Sequence, residues 1–137
     1  DENMNRGFNY LFRYISGGND LSKKINMTTP VHMERGEKKS SMEFVLPREF
    51  NFKNVPKPIN SKVEVYEAKN LFYASISYSG YTNPSKEEII IKKIKSKLIE
   101  QNIQIIGQEK ILVYNSPYKF FNRKNEIIIP INYNVKK

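Results

Sequence analysis

The sequence predicts an α+β domain in which two helices flank one curved, mainly antiparallel sheet. Three observations predict it. Apolar residues recur at helical spacing in two stretches, residues 2–15 and 84–102. Between and after these stretches the apolar period falls to two, the spacing of strands. Each helical stretch is followed by a pair of such segments, so the order α-ββ-ββ-α-ββ reads as pseudo-repeated α-ββ units. The 137 residues are 39% hydrophobic and include nine Tyr and eight Phe, enough for one domain over 1–137 with its own core.

In the first helical stretch, Met4, Phe8, Leu11, Phe12 and Ile15 form the apolar stripe. Asp1 is placed to cap its start, and Glu2 suits the positive end of its dipole. Arg6 and Arg13 fall within about 20° of each other on the opposite side, at about 100° per residue. Gly17-Gly18 ends the helix.

From Ile25 the pattern alternates. Ile25, Met27, Thr29, Val31 and Met33 share one face of an expected strand, with Asn26, Thr28, Pro30 and His32 on the other. Pro30 cannot donate to a ladder, so this strand is expected at an edge or bulged. "ERGEKKSS" is a hairpin loop, and "MEFVLP" a return strand with Met42, Phe44 and Leu46 on one face. "REFNFKNVPKPINS" is a proline-punctuated connection. Val63 and Val65 start a third strand, and "LFYASISYSGY" is a fourth.

Asn83-Pro84 reads as an N-cap followed by proline at the first helical position. The second helix then buries Ile90, Ile91, Ile94 and Leu98 and turns Lys92, Lys93, Lys95 and Lys97 outward. Two strands close the chain, near 103–114 and 126–133, joined by the aromatic-basic loop "NSPYKFFNRKNE".

Composition excludes several chemistries. Without cysteine there is no disulfide framework, zinc-thiolate site or thiol nucleophile, and with one histidine no two-histidine metal site forms within one chain. No apolar run approaches the roughly 18 residues of a membrane span, and there is no secretory apolar region. An intracellular setting is the favoured expectation. The carboxylate nearest His32 in sequence is Glu34, on the same strand face, and no Ser-His-Asp set is visible. Gly17-Gly18 is not followed by the Lys-Ser/Thr of a phosphate loop. No enzyme is expected. The net charge of +9 favours anionic partners.

"FRYISGGND", "KINMTTPV", "FVLP", "VPKP", "YSGYTN" and "YNSPYKFFNRKNEI", in that order, make the chain resemble the SOUL/haem-binding-protein family along nearly its whole length. The resemblance implies a distorted antiparallel β-barrel flanked by two helices, tetrapyrrole binding without catalysis, and a fold-level relation to bacterial small-molecule-binding regulator domains. Members generally carry two further strands ahead of the first helix, and the pseudo-repeat asks for the same two. They are therefore expected before Asp1, supplied by a separate N-terminal segment or replaced by a neighbouring subunit along the open sheet edge.

The resemblance also implies a haem in a shallow apolar groove near the first helix, with cations at its propionates. Arg13 aligns with the family's basic position just before Tyr-x-x-Gly, and Arg6 projects the same way. Lys23 and Lys24 lie on the adjoining loop. Tyr10 and Tyr14 are candidates for ring contact, although tyrosines at a helix end commonly seal a core. His32 is the candidate axial ligand and the one candidate metal ligand, because imidazole binds haem iron. Against this, alternation turns His32 away from Met27 and Met33, which are expected in the core, and the family has no obligate axial histidine.

Thr28 and Thr29 are expected to serve the strand and bond nearby backbone. Arg123, Asn125 and Glu126 match the family's terminal motif and are expected to pin the long loop. Tyr118, Phe120 and Phe121 interleave with Lys119, Arg123 and Lys124, as stacking on a nucleic acid would require. Packing of these rings under a barrel rim is the stronger expectation. The function expected is thus non-catalytic haem or porphyrin binding, in haem buffering or trafficking. The alternatives are a structural or interaction subunit of a larger assembly, or a basic RNA-contacting module.

Overall fold

The computed structural model describes residues 2–36, 40–115 and 119–132, with residues 2–4 as backbone only. The Asp1 cap, the Met4 side chain and Tyr118 lie outside the described residues. The elements run α1 (Glu2–Ile15), β1 (Val31–Arg35), β2 (Ser40–Glu43), β3 (Phe72–Ser79), α2 (Pro84–Glu100), β4 (Gln104–Ile105), β5 (Lys110–Val113) and β6 (Lys124–Asn132).

The strands form one antiparallel sheet in the order β2-β1-β5-β6-β3, with β4 also on β6. The sheet is not a closed barrel. Among the described residues β2 and β3 are its edges.

Alternation decides the two faces. In register, Met33 stands opposite Met42 and Ile111, and Ile111 opposite Ile127. These residues, with Ile129 and Ile131, pack against Ile94 and Leu98 of α2. Ile90 and Ile91 complete the expected stripe, partly buried. The N-cap of α2 is Asn83, whose side chain accepts from the Lys86 amide at 2.9 Å, and Pro84 opens the helix. A buried carboxylate ties this first turn to the sheet. Glu87 receives Arg35 Nε at 2.5 Å and Thr82 Oγ1 at 2.7 Å.

A second apolar cluster gathers Tyr14, Ile15, Ile25 and Val63, with Leu11, Phe44, Leu46 and Phe50 against it. The α1 stripe is only half used. Phe12 is 49% exposed and stacks on Phe8 with ring centroids 6.0 Å apart.

Three expectations about strands are corrected. No ladder forms over Ile25–Pro30, and β1 begins only at Val31. Pro30 offers no amide proton, and the Thr29–Pro30 peptide is cis. Ile25 turns into the α1 cluster, its amide on the Ile15 carbonyl at 2.7 Å, while Met27 is exposed instead of packing in the core. Val63 and Val65 form no strand, since their apolar side chains pack on the α1 cluster without a ladder partner. The return strand stops at Glu43, so Met42 faces the α2 core while Phe44 and Leu46 serve the α1 cluster.

Candidate functional site: a groove under the sheet

The face of the sheet turned away from α2 is roofed by the connection between β2 and β3. Between them lies a groove of about 1150 Å³. Its floor carries His32 and Glu34 of β1, Glu43 of β2, Lys110 of β5, Tyr73 and Ile128. One end is closed by Leu11, Tyr14 and Ile15 of α1, and the far wall is built from Phe44, Leu46, Phe50, Val63 and Val65.

The loop "SGGND" holds that wall in place. Gly17 adopts φ +114° and the Gly18 amide reaches back to the Arg13 carbonyl at 2.8 Å, a helix stop that needs glycine. A Cβ on Gly18 would stand 2.7 Å from that same carbonyl oxygen. Asn19, 1% exposed, then organises the turn. Its Nδ2 donates to the carbonyls of Tyr14 and Lys23 at 2.9 and 2.8 Å. Its Oδ1 accepts the amides of Leu21 and Lys23 at 3.2 and 3.0 Å. Asp20 accepts the Lys57 amide at 2.7 Å, and Tyr14 donates its hydroxyl to the Pro56 carbonyl at 2.5 Å. The end of α1 is thereby latched to the "VPKP" segment, which leads directly into the wall. Burial, reinforced by the charge of Asp20, pushes the Tyr14 hydroxyl pKa up. Thr28 takes the expected supporting role by donating to the Val45 carbonyl.

The floor is charged. Lys110 Nζ lies 2.9 Å from Glu43 Oε1, with both side chains about three-quarters covered. Burial opposes the Lys110 charge, but the hydrogen bond and charge of Glu43 outweigh it and hold the pKa above its ordinary value. His32 stands opposite Glu43 in the register. Burial, then Lys110, lowers its pKa, and Glu43 only partly offsets them. Its imidazole is therefore neutral around pH 7.

The residues singled out from sequence are divided by the structure. His32 and Tyr14 line the groove. Lys23 places its Nζ 5.0 Å from the Phe50 ring centroid, at the groove's edge. Lys24 is exposed, its backbone bridged to Ser16. Arg6 and Arg13 are exposed on α1 and do not line the groove. The groove's cations are Lys53, Lys62, Lys69 and Lys110. Sequence reading missed them because three belong to the irregular connection, which has no period to assign a face. Asn19 and Asp20 were missed as positioning residues, although an Asn-Asp pair after two glycines is a usable turn signal.

The terminal motif pins its loop as expected. Arg123, 6% exposed, donates to the Lys119 carbonyl at 3.0 Å and stacks 4.0 Å over the Tyr81 ring. Asn125 Nδ2 donates to the Gly80 carbonyl at 2.7 Å, and Glu126 accepts from the Tyr114 hydroxyl. Phe120 and Phe121 depart from the expected packing under a rim: both are exposed. Among the described residues no group of three His, Cys, Asp or Glu side chains gathers as a metal site, and no helix is long and apolar enough to cross a membrane.

A two-helix, open antiparallel sheet with a groove at the end of its first helix defines the chain as an α+β protein of SOUL type. The sequence profile described as "SOUL heme-binding protein" matches residues 1–130, and the chain belongs to that family. It is 30% identical to Heme-binding protein 2 of Homo sapiens over 137 residues, covering 93% of this chain and 65% of that protein. It is 26% identical to Heme-binding protein 2 of Mus musculus with the same coverage. Heme-binding protein 1 of Sus scrofa is 22% identical over 136 residues, 93% of this chain and 70% of that protein. The chain thus spans 65% of the length of the Heme-binding protein 2 relatives.

Proposed function

We propose that the chain is a non-catalytic tetrapyrrole-binding protein that receives haem or a related porphyrin in the groove, in the service of haem buffering or trafficking. The observation that carries this reading is the groove itself: apolar walls beside lysines, in a chain of the SOUL family. A tetrapyrrole needs a slot for two apolar faces and cations for its carboxylates. Pockets for small molecules commonly enclose about 300–1,000 Å³, so the volume is ample.

Haem, when bound, supplies an iron centre open to axial ligands and an intense visible chromophore. The chain's own residues do the holding. Phe44, Leu46, Phe50 and Val65 exclude water from the ring faces. Lys62 and Lys69, with Lys23 at the edge, offer charge to the propionates. Lys110 is already engaged by Glu43. His32 offers a neutral imidazole from the floor, which makes it the candidate axial ligand within the groove.

The test is a visible-absorption titration of the purified chain with haemin. A Soret shift saturating near one equivalent supports the reading, and an unshifted band overturns it.

A second reading rests on one specific feature. The strand β3 stands at an edge of the sheet among the described residues, paired with β6. Such an edge accepts an added strand, which favours an interaction subunit. Chemical cross-linking of native material that captures a partner at β3, together with a silent haemin titration, would favour this reading over the first.

A further inference from the structure

The loop before β6 carries a feature that tetrapyrrole binding does not use. Phe120 is 81% exposed and Phe121 73% exposed, side by side on a loop whose base is fixed. Arg123 is buried beneath Tyr81, Tyr81 Oη donates to the Lys119 carbonyl at 3.1 Å, and the Lys124 amide is held by Asn115 Oδ1 at 2.7 Å. The rings are thus presented to solvent from an anchored frame. Exposed phenylalanines in water are costly, and an adjacent pair marks a surface built to be covered.

The charge around the rings is of one sign. Residues 119–124 read KFFNRK, with Lys119 and Lys124 exposed beside the rings and Arg123 buried at the base, and no carboxylate occurs from Tyr114 to Asn125. The next acid, Glu126, is engaged by the Tyr114 hydroxyl and lies 3.9 Å from Lys124 Nζ. Two apolar rings flanked by lysines match the boundary of an anionic bilayer. The rings enter the acyl boundary while the ammonium groups remain among the headgroup phosphates. A site for single-stranded nucleic acid combines a basic groove with rings that serve as stacking platforms. Rings left about three-quarters in solvent provide no such groove. A protein partner fits less well, because the cations exposed beside the rings are lysines, which are depleted from protein interfaces.

We propose that the Lys119–Lys124 loop docks the protein reversibly on anionic lipid bilayers, with Phe120 and Phe121 as the inserted wedge. Two rings and two exposed lysines give weak binding that depends on anionic lipid and salt.

The experiment is co-sedimentation of the full chain with vesicles of phosphatidylcholine alone or with about 30% phosphatidylserine, a composition that gives the negative surface potential required. Binding is expected only to the anionic vesicles and is lost at high salt. The double variant Phe120→Asp/Phe121→Asp should lose about tenfold or more of that affinity. Ile89→Asp, at an equally exposed apolar site on α2, should retain it. All of these side chains are exposed, so the fold survives their replacement. The chain contains no tryptophan, so Phe121→Trp supplies a single reporter. Its emission should move to the blue with anionic vesicles. Absence of binding, equal loss in Ile89→Asp, or unmoved emission overturns the proposal. Binding to a single-stranded oligonucleotide with no vesicle association overturns it in favour of a nucleic-acid contact.

Discussion

The Tyr14 hydroxyl donates to the Pro56 carbonyl at 2.5 Å across 42 positions of sequence, tying the last turn of α1 to the chain that walls the groove. Tyr14 is 4% exposed, so its loss leaves a buried carbonyl unpaired. Tyr14→Phe should cost about 1–3 kcal/mol in urea denaturation, the range for an orphaned buried polar group. It should also weaken haemin binding, because the wall loses its hold. A variant with parental stability would show that the bond contributes nothing net.

Asn19 holds the turn with both ends of its side-chain amide. Two donors meet two carbonyls and one acceptor meets two amides. Asn19→Asp keeps the acceptor but turns a carboxylate oxygen toward the carbonyls of Tyr14 and Lys23. We expect a loss of about 2–4 kcal/mol at neutral pH, from lost bonds plus burial of a charge. The loss should shrink in acid, where the protonated carboxyl can donate to one carbonyl. Chemical denaturation of the variant near pH 7 and near pH 4 checks both parts.

The helices and β3 were legible because their apolar residues recur at the period of the element itself, even though the stripe of α1 is only half buried. Val63 and Val65 alternate equally well yet form no strand. Period two records burial on one side of an extended chain and is silent on whether a ladder partner exists. The candidate site was legible where a residue sat on a regular element, as His32 did, or ended one, as Tyr14 did. The groove's lysines were not, because the connection from residue 48 to 71 has no repeating geometry. The β5 lysine, Lys110, became informative only once the register set its strand beside Glu43 and His32.

His32 links that floor to pH. Burial and Lys110 lower its folded-state pKa below the ordinary 6.5, despite Glu43. The unfolded chain therefore takes up the proton more readily than the folded one. The stability tied to this group is complete above about pH 6.5 and declines as pH falls below it, until the folded-state pKa is passed. His32→Gln should flatten the slope of stability against pH between about pH 7 and about pH 5. An unchanged slope would mean that the imidazole is effectively solvated.

With haemin, His32→Ala should retain most binding, because walls and lysines remain, but its Soret band should move to the blue as an axial nitrogen is lost. A spectrum identical to the parent's removes His32 as a ligand.

The last expectation separates two places for the propionates. Arg6 and Arg13 are exposed along α1, whereas Lys62 and Lys69 line the groove. Glu43 restrains a further cation by holding Lys110. If the groove is the site, Lys62→Glu should weaken haemin binding about tenfold, since reversal removes an attraction and adds a repulsion of similar size. Arg13→Glu and Lys95→Glu carry the same change in net charge and should lose much less. Glu43→Gln removes a carboxylate from the floor and releases Lys110, so it should tighten binding by a few-fold. Isothermal titration of the four variants at one ionic strength compares them directly. A larger loss from Arg13→Glu than from Lys62→Glu would move the ligand out of the groove and onto the outer face of α1.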